Sequence, residues 1–225
     1  MKSLCTALVL LTCVTSAQAW TEVAGDAMID SYGNSFGQPP TANPSGNFSF
    51  VNANGDLLVS NGGLAASGQA GWADPDNTAA PQYGIFWSQG WGGWPNDDDR
   101  RIVGHGPSRV QFTVPAFDDA GSNAVKIDAS ISQLWEADRE MQLLVDGVSV
   151  VVATPADSSA SFGSTTISAT PGQVIDITLA VTGNAANPAD TFVGWNATIT
   201  EVPEPATIAL LGFGLLVCLW RRRCS

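Results

Sequence analysis

The chain has 225 residues and a formal net charge of −12, from 21 Asp and Glu against nine Lys and Arg. That balance argues against nucleic acid or an anionic membrane surface as the partner of its folded part. All four cysteines, Cys5, Cys13, Cys218 and Cys224, lie near the ends. A disulfide scaffold, a thiolate metal site and a cysteine nucleophile are thereby excluded from the stretch between them.

Residues 1–19 read as a secretory leader. Lys2 supplies a minimal positive start, residues 4–14 are apolar, and Ala17-Gln18-Ala19 is a small-residue cleavage site. The mature chain is expected to begin at Trp20. Residues 20–201 then form the export domain, long enough to bury one core.

Its first clear strands are Phe48-Ser49-Phe50-Val51 and Leu57-Leu58-Val59, on either side of the hairpin signal Asn54-Gly55. Residues 61–81 are rich in Gly, Ala, Ser and Asn without a period, and read as a long surface loop. Residues 83–87 suggest a strand, and Gly104-His105-Gly106 a tight turn. From Arg109 onward the alternation is cleaner. Val110, Phe112 and Val114 form one inward set, and Val125, Ile127, Ala129 and Ile131 a second. Residues 141–145 and 148–152 meet at Asp146-Gly147, the strongest hairpin signal in the chain. Ile175, Ile177, Leu179 and Val181 follow a Pro171-Gly172 turn, and Val193, Trp195, Ala197 and Ile199 close the series. Residues 133–140 are the sole candidate for a short helix, with a loop as the alternative. Short strands joined by turn signals predict an all-β, antiparallel β-sandwich, with Val125, Ile127, Ile131, Leu143, Val145, Val150, Ile175, Ile177, Leu179, Trp195 and Ile199 in its core.

Two clusters could carry chemistry. Trp87, Trp91 and Trp94 lie in a glycine-rich stretch with Asn96. A loop there could present indole faces to a sugar ring while the amide bonds its hydroxyls; the alternative is that the indoles plug one end of the sandwich. Asp97-Asp98-Asp99 are the candidate calcium ligands, although the spacing lacks a known calcium-loop pattern; the alternative is a hydrated acidic loop neutralised by Arg100 and Arg101. Catalytic machinery has little support. His105 is the sole histidine, no G-x-S-x-G elbow occurs, and pairs of carboxylates are too common here to be specific. No catalytic residue is assigned.

The tail, residues 202–225, has three parts. Val202-Pro203-Glu204-Pro205-Ala206 blocks regular structure. The uncharged run 207–220 would span about 21 Å as a helix, short against a hydrocarbon core of about 30 Å. Arg221-Arg222-Arg223 follow; their long stems can snorkel, and they place the preceding chain outside the cytoplasm. These three parts in this order resemble the PEP-CTERM sorting signal of exported Gram-negative bacterial proteins. The resemblance implies recognition by exosortase, a membrane cysteine transpeptidase, with Val202, Pro203, Glu204, Pro205 and Arg221, Arg222, Arg223 as the sorting motif and residues 207–220 as a single transmembrane helix. It also implies passage through the inner membrane to the cell surface or an extracellular polysaccharide matrix.

The second half resembles the galactose-binding-like jelly roll of many carbohydrate-binding modules. The resemblance rests on Leu144-Val145-Asp146-Gly147, on Thr170-Pro171-Gly172-Gln173 before a long strand, and on Asp190-Thr191 before the last one. The sequence therefore predicts a non-enzymatic exported surface or matrix protein that binds carbohydrate. The alternatives are a polysaccharide-directed enzyme with carboxylate catalysis, or a purely structural matrix or adhesin domain.

Overall fold

The computed structural model describes residues 19–31, 42–52, 54–61, 71–73, 84–87, 102–105, 108–119, 121–134, 140–154, 161–182 and 192–203. In chain order the elements are β1 (Thr21–Val23), α1 (Ala24–Ser31), β2 (Phe48–Val51), β3 (Val59–Asn61), β4 (Gly71–Ala73), β5 (Gly84–Trp87) and β6 (Ile102–His105). There follow β7 (Ser108–Thr113), β8 (Ala124–Leu134), β9 (Glu140–Val145), β10 (Val148–Ala153), β11 (Ser161–Ser168), β12 (Val174–Thr182) and β13 (Phe192–Glu201).

These strands form two antiparallel sheets, so the chain is all-β with a single short helix among the described residues. One sheet runs β11-β8-β13-β6-β5-β4-β3, with β1 pairing the last part of β13; the other runs β10-β9-β12-β7-β2. The period of two puts alternate side chains of each strand inward. Val125, Ile127, Ala129 and Ile131 of β8 and Trp195, Ala197 and Ile199 of β13 are buried from one side. Phe112 of β7, Leu143 of β9 and Ile175, Ile177 and Leu179 of β12 are buried from the other. Trp195 joins the layers with its polar edge, its Nε1 donating to the buried Ser108 Oγ of β7 at 2.9 Å.

The turns follow their chemistry. Asp146 and Gly147 both take positive φ, 48° and 79°, the pair a two-residue hairpin needs. Gly172 takes φ 82° in the turn after Pro171. Asn43 links the outer edge of β2 to the segment before β3. Its side chain donates to the carbonyls of Phe50 and Leu58 and accepts the Phe50 amide.

Several expectations are corrected. Residues 24–31 are helical, with Ala24, Ala27 and Met28 buried at helical spacing and the Gly25 amide donating to Asn196 Oδ1 at 3.0 Å. The stretch read as one loop over 61–81 contains β4, whose Trp72 is 3% exposed and stacks near Phe50 at 6.0 Å. Gly104 and His105 are not a turn: they extend β6 and pair with Val193 and Phe192. Gln133 and Leu134 continue β8, and Glu140 opens β9, so the helix suggested for 133–140 is absent from those positions. Leu57 bridges Val51 but Val59 has crossed into the other sheet, so the first hairpin is cut short. Val150 is only partly buried, whereas Val151 is in the core. The register of β10 on β9 shifts between Ser149 and Val151, and that bulge inverts the alternation.

Candidate functional site

Parity that fills the core also builds the outer face. With Ile127, Ala129 and Ile131 inward, Asp128 and Ser130 of β8 point away from the core. On β11 the outward residues are Phe162 and Ser164, and on β13 they are Asn196 and Thr198. Register aligns them in two rows across three strands. Phe162 pairs with Ser130 and Ser130 with Asn196; Ser164 pairs with Asp128 and Asp128 with Thr198. At a strand spacing of about 4.8 Å each row is about 10 Å wide. Together they line an open groove of about 470 Å³. Phe162 is 78% exposed, the most open of the large apolar side chains among the described residues.

Polar groups flank that ring. Lys126 Nζ donates to Asp128 Oδ2 at 2.8 Å. This bond, helped by one from Ser164, holds the Asp128 carboxyl below the usual carboxylate range. Asn196 is also structural, because its Oδ1 accepts the amides of Gly25 and Ala197 at 3.0 and 2.9 Å. The groove thus offers an exposed apolar ring, hydroxyls and a charged carboxylate on three hydrogen-bonded strands.

A second ordered polar site lies at the end of β13. Glu201 continues the inward set of Trp195, Ala197 and Ile199, and is 1% exposed. Its Oε1 accepts the Asp119 amide at 2.8 Å and its Oε2 the Asp118 amide at 3.0 Å. Trp20 N lies 3.5 Å from Oε2, and the Glu201 amide donates back to the Trp20 carbonyl at 3.1 Å. Ser122 Oγ has one proton and two acceptors in reach, the Val202 carbonyl at 2.9 Å and the Glu201 carboxylate. Burial pushes the carboxyl of Glu201 up, but the amides of Asp119 and Asp118, with Ser122 and Trp20, outweigh it and hold it below the usual range.

The residues nominated from sequence are placed unevenly. Trp87 ends β5, where its backbone pairs with Ile102. The Trp87 side chain, Trp91, Trp94, Asn96 and Asp97, Asp98 and Asp99 lie outside the described residues. Among the described residues no group of three or more His, Cys, Asp or Glu could hold a metal ion. Val202 is tied down by its amide, which donates to the Ala124 carbonyl at 3.0 Å, and Pro203 is exposed. Glu204, Pro205, Arg221, Arg222, Arg223 and the expected helix 207–220 lie outside the described residues. Among those described, no helix is long and apolar enough to cross a membrane. Sequence reasoning passed over Phe162 and Glu201. Period-two counting from Trp195 reaches Glu201, whereas Ser161–Ser168 carries no apolar alternation to betray its strand.

Residues 201–223 match the PEP-CTERM protein-sorting motif. That motif is a substrate signal for exosortase and implies export with sorting to the cell envelope or surface. No curated protein matches the chain. Among solved structures, a family 35 carbohydrate-binding module from Clostridium thermocellum is similar at 14% identity and TM-score 0.29, over 51% of this chain and 86% of that one. The CBM22-1–GH10 modules of Clostridium thermocellum endo-1,4-beta-D-xylanase 10B are similar at 11% identity and TM-score 0.29, over 47% and 22%. A beta-glucosidase from Kluyveromyces marxianus is similar at 8% identity and TM-score 0.26, over 44% and 11%. The chain therefore spans about a fifth and a tenth of the length of these two enzymes.

Proposed function

We propose that the protein is a non-enzymatic exosortase substrate of a Gram-negative bacterium, held at the inner membrane by residues 207–220 until sorting, whose sandwich binds extracellular polysaccharide along the outer groove. The observation that carries the binding reading is Phe162, 78% exposed and flanked by Ser130, Asp128 and Ser164. An exposed ring left open to water on a hydrogen-bonded sheet gives the apolar C–H face of a sugar somewhere to stack, and the neighbouring oxygens can bond its hydroxyls. The lowered carboxyl of Asp128 does not suit the general acid of a glycosidase, which needs a raised pKa.

The test is affinity electrophoresis of the exported protein in gels cast with a panel of bacterial and plant polysaccharides. Retention by the parent should vanish in Phe162→Ala while the melting temperature stays within a few degrees. If Phe162→Ala is retained as well as the parent and Trp91→Ala/Trp94→Ala is not, the loop indoles carry binding and the groove does not. No retention of the parent on any polysaccharide would leave a structural matrix domain.

A further inference from the structure

The nitrogen that Glu201 faces is the one a leader peptidase would set free. In the uncut chain Trp20 N is an amide with a single proton, and 3.5 Å is long for an N–H to oxygen bond. Cleavage after Ala19 changes the group. Water adds across the Ala19–Trp20 amide: its oxygen stays with Ala19 as a carboxylate, and both of its protons end on the Trp20 nitrogen, which already carries one. That nitrogen becomes an ammonium with three donors and a full charge. We propose that Glu201 is the built-in counter-ion of this α-ammonium, so that removal of the leader completes the closure of the sandwich at the point where the sorting tail begins. The proposal rests on the cleavage site read in Ala17-Gln18-Ala19 and is independent of carbohydrate binding.

The site is formed in advance of the charge it would receive. Amides of Asp118 and Asp119 fix the carboxylate from the 114–123 loop. A carboxylate has room for about four hydrogen bonds, and the contact from Trp20 is the longest of those measured here, hence the one an ammonium would shorten. Trp20 itself cannot swing away. Its ring lies nearly parallel to Phe117 at 6.2 Å and tilted on Phe112 at 5.9 Å. Its carbonyl is held by the Glu201 amide, and the next residue, Thr21, already pairs with Thr200.

Charge points the same way. Among the described residues, the charged groups on the elements packed around this point are Asp118 and Asp119 of the loop, Glu22 of β1, Asp26 and Asp30 of α1, Lys126 and Asp128 of β8 and Arg109 of β7, which is paired with Asp176. Glu22 accepts Asn47 Nδ2 at 2.6 Å, and Lys126 is paired with Asp128 on the outer face. A buried carboxylate in acidic surroundings gains most from a cation that is fully hydrogen-bonded. The mature N-terminus is in position to be that cation. Leader and tail would then leave the domain side by side, tied through the Trp20 carbonyl, Glu201 and Val202.

To test this, the full chain is expressed with its own leader and tail in an exporting host, and the exported protein is purified. Mass spectrometry reads its N-terminus. Trace acylation across pH then reads the titration of the α-amine against Lys126, the one lysine besides Lys2. The expected results are an N-terminus at Trp20 and a midpoint displaced upward by about one to three pH units from the ordinary α-amino value of about 8. Glu201→Gln should bring it back. If that variant does not fold, complete acylation of the parent α-amine serves instead and should lower its melting temperature by several degrees. An N-terminus elsewhere would overturn the cleavage premise. An N-terminus at Trp20 with an ordinary midpoint, or with a melting temperature indifferent to acylation, would overturn the ion pair alone.

Discussion

Asp128 and Glu201 are carboxylates on neighbouring strands of one sheet, and both are held below the usual carboxylate range. The causes differ. Asp128 faces outward and owes its acidity to two side chains, Lys126 and Ser164, that are themselves exposed to water. Glu201 faces inward, pays the full penalty of burial, and is rescued by main-chain amides of a folded loop. Side-chain donors at a surface can be exchanged for a ligand's hydroxyls at little cost. Main-chain donors around a buried oxygen cannot be exchanged without unfolding the loop that carries them. One strand parity therefore yields a face able to bind, and the opposite parity yields a fastening.

The largest effect should come from breaking the fastening. Glu201→Leu removes the acceptor for two main-chain amides and leaves them facing an apolar side chain. At about 1–3 kcal/mol for each donor left unsatisfied, the loss is about 2–6 kcal/mol, set against a typical total of about 5–15 kcal/mol. Urea unfolding of the variant measures it. A loss below about 1 kcal/mol would mean that water replaces the carboxylate, and the contrast with Asp128 would collapse.

Next in size is Gly163→Ala. A Cβ built there would lie 1.9 Å from the Val150 carbonyl oxygen, a backbone atom with no rotamer to escape into. The bulge that exposes Val150 is thus seated against the glycine of β11. Overpacking of this kind costs about 1–3 kcal/mol, and the shift of β11 should also disturb Phe162 beside it. Retention on polysaccharide and the unfolding midpoint should fall together, whereas Phe162→Ala should separate them.

Acidification should act on the carboxylates that the fold holds ionised on both sheets. Asp176 of β12 faces outward and is one-third exposed, 33%, but is lowered in the same sense as Glu201: partial burial raises it, and Arg109, bonded at 2.7 and 2.9 Å, with Gln111 outweighs that. For both groups the folded-state pKa lies below the unfolded one. Their stabilisation is complete above the ordinary carboxylate range near pH 4 and is lost as pH falls through the folded-state values. Melting temperature should be nearly flat from about pH 6 to 5 and drop below about pH 4. Glu201→Leu should flatten that drop without abolishing it, because Asp176 remains. A profile unchanged by the substitution would show that Glu201 is not ionised in the folded protein.

How much of this could be read from the residues depends on what each strand buries. The strands β8, β9, β12 and β13 have one buried and one wet face, so their alternation is written in the sequence, and Asp146-Gly147 fixes the hairpin between β9 and β10. The bulge at Val150 was hidden, since a run of valines looks alike in either register. Short strands such as β4 carry too few residues to show a period, and Trp72 is buried by its neighbours rather than by a pattern. Helix α1 turns its buried face with two alanines and one methionine, a weak signal beside the strands around it. The groove was illegible for a different reason. Phe162, Ser130 and Asn196 belong to strands far apart in sequence and become neighbours only through register.

The smallest stability effect is expected of Asp128→Asn, and that smallness gives the variant its use. The ion pair with Lys126 is about half exposed on both sides, 49% and 45%, so water and salt screen it. Pairs of this kind contribute about 0–1 kcal/mol, and the melting temperature should barely move. The groove nevertheless loses its charge and half of its carboxylate acceptors at the centre of the row Ser164, Asp128, Thr198. If sugar hydroxyls bond there, retention in affinity electrophoresis should drop severalfold, with no parallel change in unfolding. If retention is unchanged, the ligand contacts the Phe162 row alone, and the site narrows to Phe162, Ser130 and Asn196. Should the melting temperature instead fall as far as in Glu201→Leu, the outer face would be structural too, and the division between a binding face and a fastening would not hold.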